Sequence, residues 1–269
     1  MVRCPGLFLT LALTAFVLPQ SAGAEEWRNG GKLLLTGGVT SIEGAAGGGL
    51  ATWALIAGDE TEAGIGGTVH ATYIALPDFD LTSYGGAIGY RNRIEISYAH
   101  QSFDTRSVGA MLGLGRGFTF SQDVFGAKLR LAGDAVYDQD RLMPQISIGV
   151  QHKRANQRAI IAAVGGKQSN GTDVYVSATK VVLSRSLVVN ATIRFTKANQ
   201  LGLLGFGGDK NIKYQPEFEG SVGVLLTRRL LAGVEYRTKP DNLGFAEEDD
   251  TYDLFAAWSV ARHVALTAA

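Results

Sequence analysis

The sequence predicts an all-β protein: an antiparallel up-and-down transmembrane β-barrel of about 12–14 strands, with short periplasmic turns at one rim and long extracellular loops at the other. Three observations carry that reading. Apolar and polar residues alternate with period two along most of the chain. Most of the alternating runs are about 9 to 13 residues long, whereas soluble strands average roughly 5 or 6 and a tilted bilayer crossing takes about 9 to 11. Long connections alternate with short ones. Composition agrees: glycine, 35 of 269 residues, is about 13%, nearly twice the roughly 7% of average usage, and it lacks collagen's period. Helices tolerate that content poorly.

In chain order, the first residues read as an export leader. Arg3 supplies the positive start, "LFLTLALTAFVL" at 7–18 is an apolar run too short to span as a helix, and the small residues Ala22 and Ala24 precede a cut placed after Ala24. Residues 1–24 are then a signal peptide and 25–269 a single barrel domain. The one cysteine, Cys4, lies inside the leader, so the expected mature chain has no thiol and no disulfide. No later run of about 18 uncharged apolar residues predicts a helical span. Lysine plus arginine (25) balances aspartate plus glutamate (25), so no net field attracts nucleic acid.

Candidate strands follow at 32–40 and 48–57, both glycine-rich. The remainder fall at 66–76, 82–90, 93–103, 124–137, 145–153, 173–182, 187–196, 214–226, 230–237, 251–259 and 263–268. The long connections are 104–122, 154–171, 197–213 and 238–250; the tight ones are 91–92, 138–144, 183–186, 227–229 and 260–262. Four tight turns place arginine just after a strand end: "YRNRI", "LSRSL", "LTRRL" and "VARHV". By parity the final strand runs away from the periplasm, which predicts either one further strand beyond "LTAA" or an odd-stranded closure.

The two strand faces differ in kind. One carries charges in clusters: Arg93 and Glu95; Lys128, Arg130 and Asp134; Glu217 and Glu219; Glu235 and Arg237. The other carries Ile94, Ile96 and Tyr98; Leu129 and Leu131; Ile146, Ile148 and Val150; Val189, Ile193 and Phe195; Phe218, Val222, Val224 and Leu226. Aromatics gather at predicted strand ends, with Tyr90, Tyr137 and Trp258 beside tight turns and Phe125, Tyr214 and Tyr252 beside long loops, as two interfacial belts require. The apolar face is therefore expected to meet lipid and the charged face to line a lumen. Taking 227–229 as a turn makes opposed positions sum to 456, which sets Glu219 across from Arg237. Closure matters because lipid offers no partner to an unpaired backbone amide.

Three stretches carry a likeness: "GLGRGFTFSQDVFGAKLRLAGDAVYDQD" (113–140), "TKANQLGLLGFGGDKN" (196–211) and "GVEYRTKPDNLGFAEEDDTYDLFAAW" (233–258). They resemble an uncharacterised bacterial domain-of-unknown-function family of exported, predicted outer-membrane β-barrels. The likeness runs from about residue 31 to the end. It implies the barrel architecture and one more aromatic-rich strand after "LTAA", and it brings no catalytic residue.

Candidate chemistry is sparse. "KQSNGTD" (167–173) resembles the neighbourhood of outer-membrane phospholipase A around Ser169 and Asn170, but Lys167 stands where that family has histidine, so no imidazole takes the hydroxyl proton. His70, His100, His152 and His263 share no ligand spacing. "EEDD" (247–250), near Asp241, lacks the alternate spacing of a calcium loop. "GLGRGF" (113–118) is not GxGxxG and opens no strand-to-helix unit. The loops around it and "LGLLGFGG" are unusually apolar, which predicts an inward constriction formed by Leu112, Leu114, Phe118, Leu203, Leu204 and Phe206.

These features predict no enzyme, cofactor or metal. The leading expectation is a narrow outer-membrane channel or carrier for a small solute, with Arg93, Glu95, Lys128, Arg130, Glu217, Glu219, Glu235 and Arg237 as lumen charges. Its expected partners are outer-membrane lipid and, during biogenesis, the barrel-assembly machinery. One alternative is a structural or envelope-polymer export and assembly component with a plugged lumen; another is a secreted soluble barrel binding an apolar ligand.

Overall fold

The computed structural model describes residues 10–15, 35, 37, 39–58, 64–111, 113–245 and 247–269. Its frame is eleven antiparallel strands, each paired with its sequence neighbours in one curled up-and-down sheet. They are β2 (Ile65–Ala75), β3 (Asp80–Tyr90), β4 (Ile94–Asp104), β5 (Thr119–Ala132), β6 (Gln145–Ala155) and β7 (Asn170–Val182), then β8 (Leu187–Thr196), β9 (Gln215–Thr227), β10 (Leu230–Arg237), β11 (Thr251–Ala261) and β12 (Val264–Ala268). A short strand, β1 (Thr10–Ala15), precedes them and pairs with both β2 and β12, the two edges of that sheet. It lies within the residues that read as a leader.

Strand-forming residues explain both the pairing and its sidedness. Ile94, Ile96, Val222, Val224 and Leu226 are exposed, while Glu95, Lys128, Glu219, Glu235 and Arg237, on the opposite face, are buried. The sheet is thus inside-out relative to a water-soluble one. The 91–92 turn uses the backbone that a right-twisted hairpin demands: Arg91 (φ 51°) and Asn92 (φ 48°) are both left-handed, and the Arg93 N–H donates to Tyr90 O at 3.0 Å. Sequence pairing is borne out at 227–229, since Glu219 stands opposite Arg237.

Several expectations are corrected. The glycine-rich runs 32–40 and 48–57 are not strands where they are described; residues 39–58 form an irregular segment buried against the concave face of the sheet. Glycine and alanine dominate it, so its chain can turn tightly and approach the wall, which a pleated strand would not. β5 runs from Thr119 to Ala132 rather than over 124–137, so Tyr137 sits in an extended connection, not a tight turn. For the same reason Phe125 lies well inside β5 and packs on Tyr98, ring centroids 5.2 Å apart, instead of flanking a loop. Arg93 is an exposed turn residue rather than the first inward residue of β4.

Candidate functional site

The concave side of the sheet is filled in three layers. Toward the tight-turn rim, Trp53, Leu55 and Ala57 of the inner segment pack with Val181, Val188, Leu231 and Phe255. Toward the long-loop rim, Ile42 and Leu50 pack with Leu81, Phe120 and Leu203. Between them lies a buried ionic layer. Residues 39–58 form an inner plug of chain packed on the concave face, with grease at both ends and charge in the middle.

Glu43 organises the charges. Its carboxylate pairs with Lys153, with Arg237 Nη1 at 2.9 Å and with Arg194 Nη2 at 3.6 Å, all of them buried. Arg194 also reaches Glu219 Oε1 at 2.5 Å and Asp173 Oδ2 at 3.6 Å, and its guanidinium lies over the Tyr175 ring, 4.9 Å from the centroid. Lys153 Nζ is 2.8 Å from Asp173 Oδ2. Each charge here has at least two partners of opposite sign, but a buried ion pair offsets its desolvation only where hydrogen bonds also satisfy its remaining atoms, and both Asp173 oxygens lack one.

The second role of the inward polar face is to satisfy the plug's irregular backbone. Carboxylates accept from it: Glu95 from the Ala46 and Ala57 N–H groups (3.2 and 2.8 Å), Glu219 from Thr52 N–H (2.8 Å), and Glu235 from Leu50 N–H (2.7 Å). Donors on the strands reach its carbonyls: Ser83 and Gln101 to Ile42 O, Gln145 and Ser147 to Ala54 O, Thr192 to Thr52 O, and Lys128 Nζ to Leu55 O at 2.8 Å. A buried backbone without regular structure must find such partners or lose about a hydrogen bond's free energy at each orphaned group. The wall side chains supply them.

Of the charges singled out from sequence, Glu95, Lys128, Glu219, Glu235 and Arg237 all touch the plug. Arg130 and Glu217 lie nearer the rims, Arg130 on Asn92 O and Asp134, Glu217 accepting from the Thr238 hydroxyl. Arg93 is not among them. Sequence reasoning passed over Lys153, Asp173 and Arg194, although the alternation that placed Ile193 and Phe195 outward already turned Arg194 inward. Glu43 had no such signal, because it fell between the two runs read as strands, 32–40 and 48–57.

In the apolar loops, Leu114, Phe118, Leu203 and Leu204 meet around the plug's Ile42 and Leu50. Phe206 is fully buried elsewhere, bridged to Gln168 and Ala198 and packed against Gly171 and Gly202. Leu112 lies outside the described residues. Ser169 makes its contacts with Ala155 N–H and Arg158 rather than with any histidine. Glu248 pairs with Lys239 at 3.3 Å and Asp250 with Tyr236, so the acidic run is dispersed among separate partners. Among the described residues no three histidine, cysteine or acidic side chains converge as metal ligands.

A family model described as protein of unknown function (DUF3034) matches residues 36–269, and the chain belongs to that family. The match begins just before the plug and takes in all eleven strands of the frame. No curated protein and no solved structure matches the chain.

Proposed function

We propose that this DUF3034 chain is a bacterial outer-membrane β-barrel whose lumen is sealed by its own residues 39–58, a structural or envelope-polymer export and assembly component rather than an open pore. One observation carries the sealing: the inward charges are engaged by the plug, with Glu43 tied to Lys153, Arg194 and Arg237. Charges so engaged do not line a water column. Support for the membrane comes from the outward face, where Ile96 (66% exposed), Leu226 (60%) and Leu254 (74%) belong to a continuous apolar surface. A surface of that extent on a water-soluble monomer marks an interaction site. Most strands also have the length of a bilayer crossing, and Tyr90, Trp258, Tyr214 and Tyr252 stand exposed near the rims.

Planar-bilayer recording of the purified full-length protein tests the sealing. The wild type is expected to be silent, and a variant lacking residues 39–58 is expected to conduct. Steady ohmic conductance in the wild type overturns it. Carbonate extraction tests the membrane separately: the protein is expected to stay with the outer-membrane pellet.

A narrow channel or carrier for a small solute is the second reading. It is favoured by the plug's pairing, since among the described residues its backbone bridges join only its own members, Thr40 to Ala46 and Gly47 to Thr52. Such a segment can shift without breaking a wall ladder. The secreted apolar-ligand barrel is disfavoured by an interior whose middle layer is ionic.

A further inference from the structure

Four of the tight turns carry arginine, and the fold gathers them at one rim. Consecutive strands alternate in direction, so the connections after β3, β7, β9 and β11, at 91–93, 183–186, 228–229 and 262–263, close on the same side of the sheet. Arg91, Arg93, Arg185, Arg228, Arg229 and Arg262 are all exposed. Among the described residues none of them pairs with a carboxylate. Asp134 and Asp138, in the connection after β5 at the same rim, sit instead with Arg130 at 3.4 Å and Arg141 at 3.9 Å.

Turn geometry does not ask for arginine in these places. Arg91 takes φ 51°, a conformation in which glycine or asparagine is usual. The turns are fastened by main chain: Arg93 O accepts the Arg130 N–H and Arg229 O accepts the Ser259 N–H, both at 2.8 Å. Such bonds fix where the side chains start and leave their charged ends free. Solvation alone would be served as well by lysine, yet no lysine stands in these four turns, whereas the opposite rim mixes arginine with Lys167, Lys210, Lys213 and Lys239. What arginine adds is a planar fork of N–H donors that matches two oxygens of a phosphate. Beside the turns the outward surface is apolar, with Tyr90, Leu183, Leu226, Trp258 and Val260 exposed, and the Arg91 guanidinium lies over the Tyr90 ring, 5.5 Å from its centroid.

We propose that this rim binds the phosphates of anionic phospholipid headgroups, with the guanidinium groups holding phosphate oxygens while the acyl chains run along the apolar strand faces next to them. The inference rests on the membrane reading and deepens it, because it assigns the tight-turn rim to a leaflet that carries phospholipid. Fixed cations bordering grease are complementary to a molecule whose own charge borders its grease. A soluble acidic partner would meet the arginines and leave Leu226 and Trp258 in water.

Trp258 is a local reporter, since it pairs with Leu230 across the β10–β11 ladder and precedes Ser259, whose N–H reaches Arg229. Full-length protein is inserted into phosphatidylcholine vesicles containing a minor share of phosphatidylglycerol, with bromine on the acyl chains of one lipid or of the other. Trp258→Phe subtracts the emission of the remaining tryptophans. Brominated phosphatidylglycerol is expected to quench Trp258 beyond its bulk share, and the combined Arg228→Gln, Arg229→Gln and Arg262→Gln variant to weaken its association about fivefold or more, the effect of roughly one basic residue beside an anionic surface. Quenching by each lipid in proportion to its bulk share, in inserted wild type, overturns the proposal, as does an enrichment that survives in the inserted variant. Should the variant fail to insert, the wild-type comparison decides. Wild type that washes from the vesicles in carbonate takes the membrane reading down with it, whereas insertion without enrichment overturns this inference alone.

Discussion

Arg237 and Glu219 face each other across the β9–β10 ladder, with Arg237 Nε 3.5 Å from Glu219 Oε1. The pair belongs to a larger network, because Glu219 also holds Arg194 and the Thr52 N–H, while Arg237 also holds Glu43 and Leu50 O. Arg237→Gln alone strands a part of the negative charge, and a buried pair broken from one side loses about 3–5 kcal/mol. Combining it with Glu219→Gln is expected to cost less than the sum of the two, with a coupling of about 0.5–3 kcal/mol. Chemical unfolding in detergent measures the cycle. Additivity within about 0.5 kcal/mol would show that the two side chains do not interact.

That pair was legible in the sequence because a hairpin turn fixes its register and period two fixes its face. The same two rules placed nearly every strand and turned Ile94, Ile148 and Phe218 outward. They fail for the run 48–57, whose short alternations of alanine, glycine and leucine imitate a strand. What decides the matter there is the supply of partners: a segment whose amides are met by Glu95, Glu219 and Glu235 needs no ladder. β1 is the converse case. Apolar Thr10–Ala15 reads as leader, yet any strand-compatible run satisfies the two sheet edges it lies between. No local signal distinguishes those fates.

Glu43→Gln is expected to free the plug while leaving the wall intact. The substitution removes the shared anion from Lys153, Arg194 and Arg237 and leaves three buried cations short of charge. Hydrogen exchange is expected to accelerate at least tenfold in residues 39–58 and to stay unchanged in β6 to β9. Uniform acceleration across both regions would mean that the plug and the wall unfold as one unit.

Val222→Arg distinguishes lipid from water outside the sheet. Val222 is 46% exposed and stands between Val189 and Val234, both also exposed. In water such a surface change alters stability by no more than about 0.5 kcal/mol. Against hydrocarbon the arginine costs about 2–4 kcal/mol near the bilayer midplane. Unfolding from lipid vesicles reads the difference directly, and a neutral result excludes a lipid-facing β9.

Leu203 joins the long loops to the plug. It is 6% exposed and packs in one cluster with Ile42 and Leu50. Leu203→Ala is expected to lose about 2–5 kcal/mol, the usual range for a buried leucine, and to raise protease sensitivity at 39–50. Unaltered cleavage there, in a variant that has lost stability, would confine the role of Leu203 to loop packing.

The outer loops have an acid-sensitive clamp in Asp209. Its Oδ1 accepts the Gly244 N–H at 2.7 Å, tying the loop after β8 to the loop after β10. That backbone hydrogen bond, ahead of the other contacts, holds the Asp209 carboxyl below its ordinary value of 3.8. A depressed carboxyl stabilises the folded loops fully above the unfolded value and loses that contribution as pH falls through the folded one. Exchange protection of the Gly244 amide is therefore expected to be flat from pH 7 to about 5, after correction for intrinsic rates, and to decline only below about 4. Asp209→Asn keeps an acceptor but no charge, so it is expected to abolish the decline. If protection falls equally in both proteins, another carboxylate sets the acid limit of the loops.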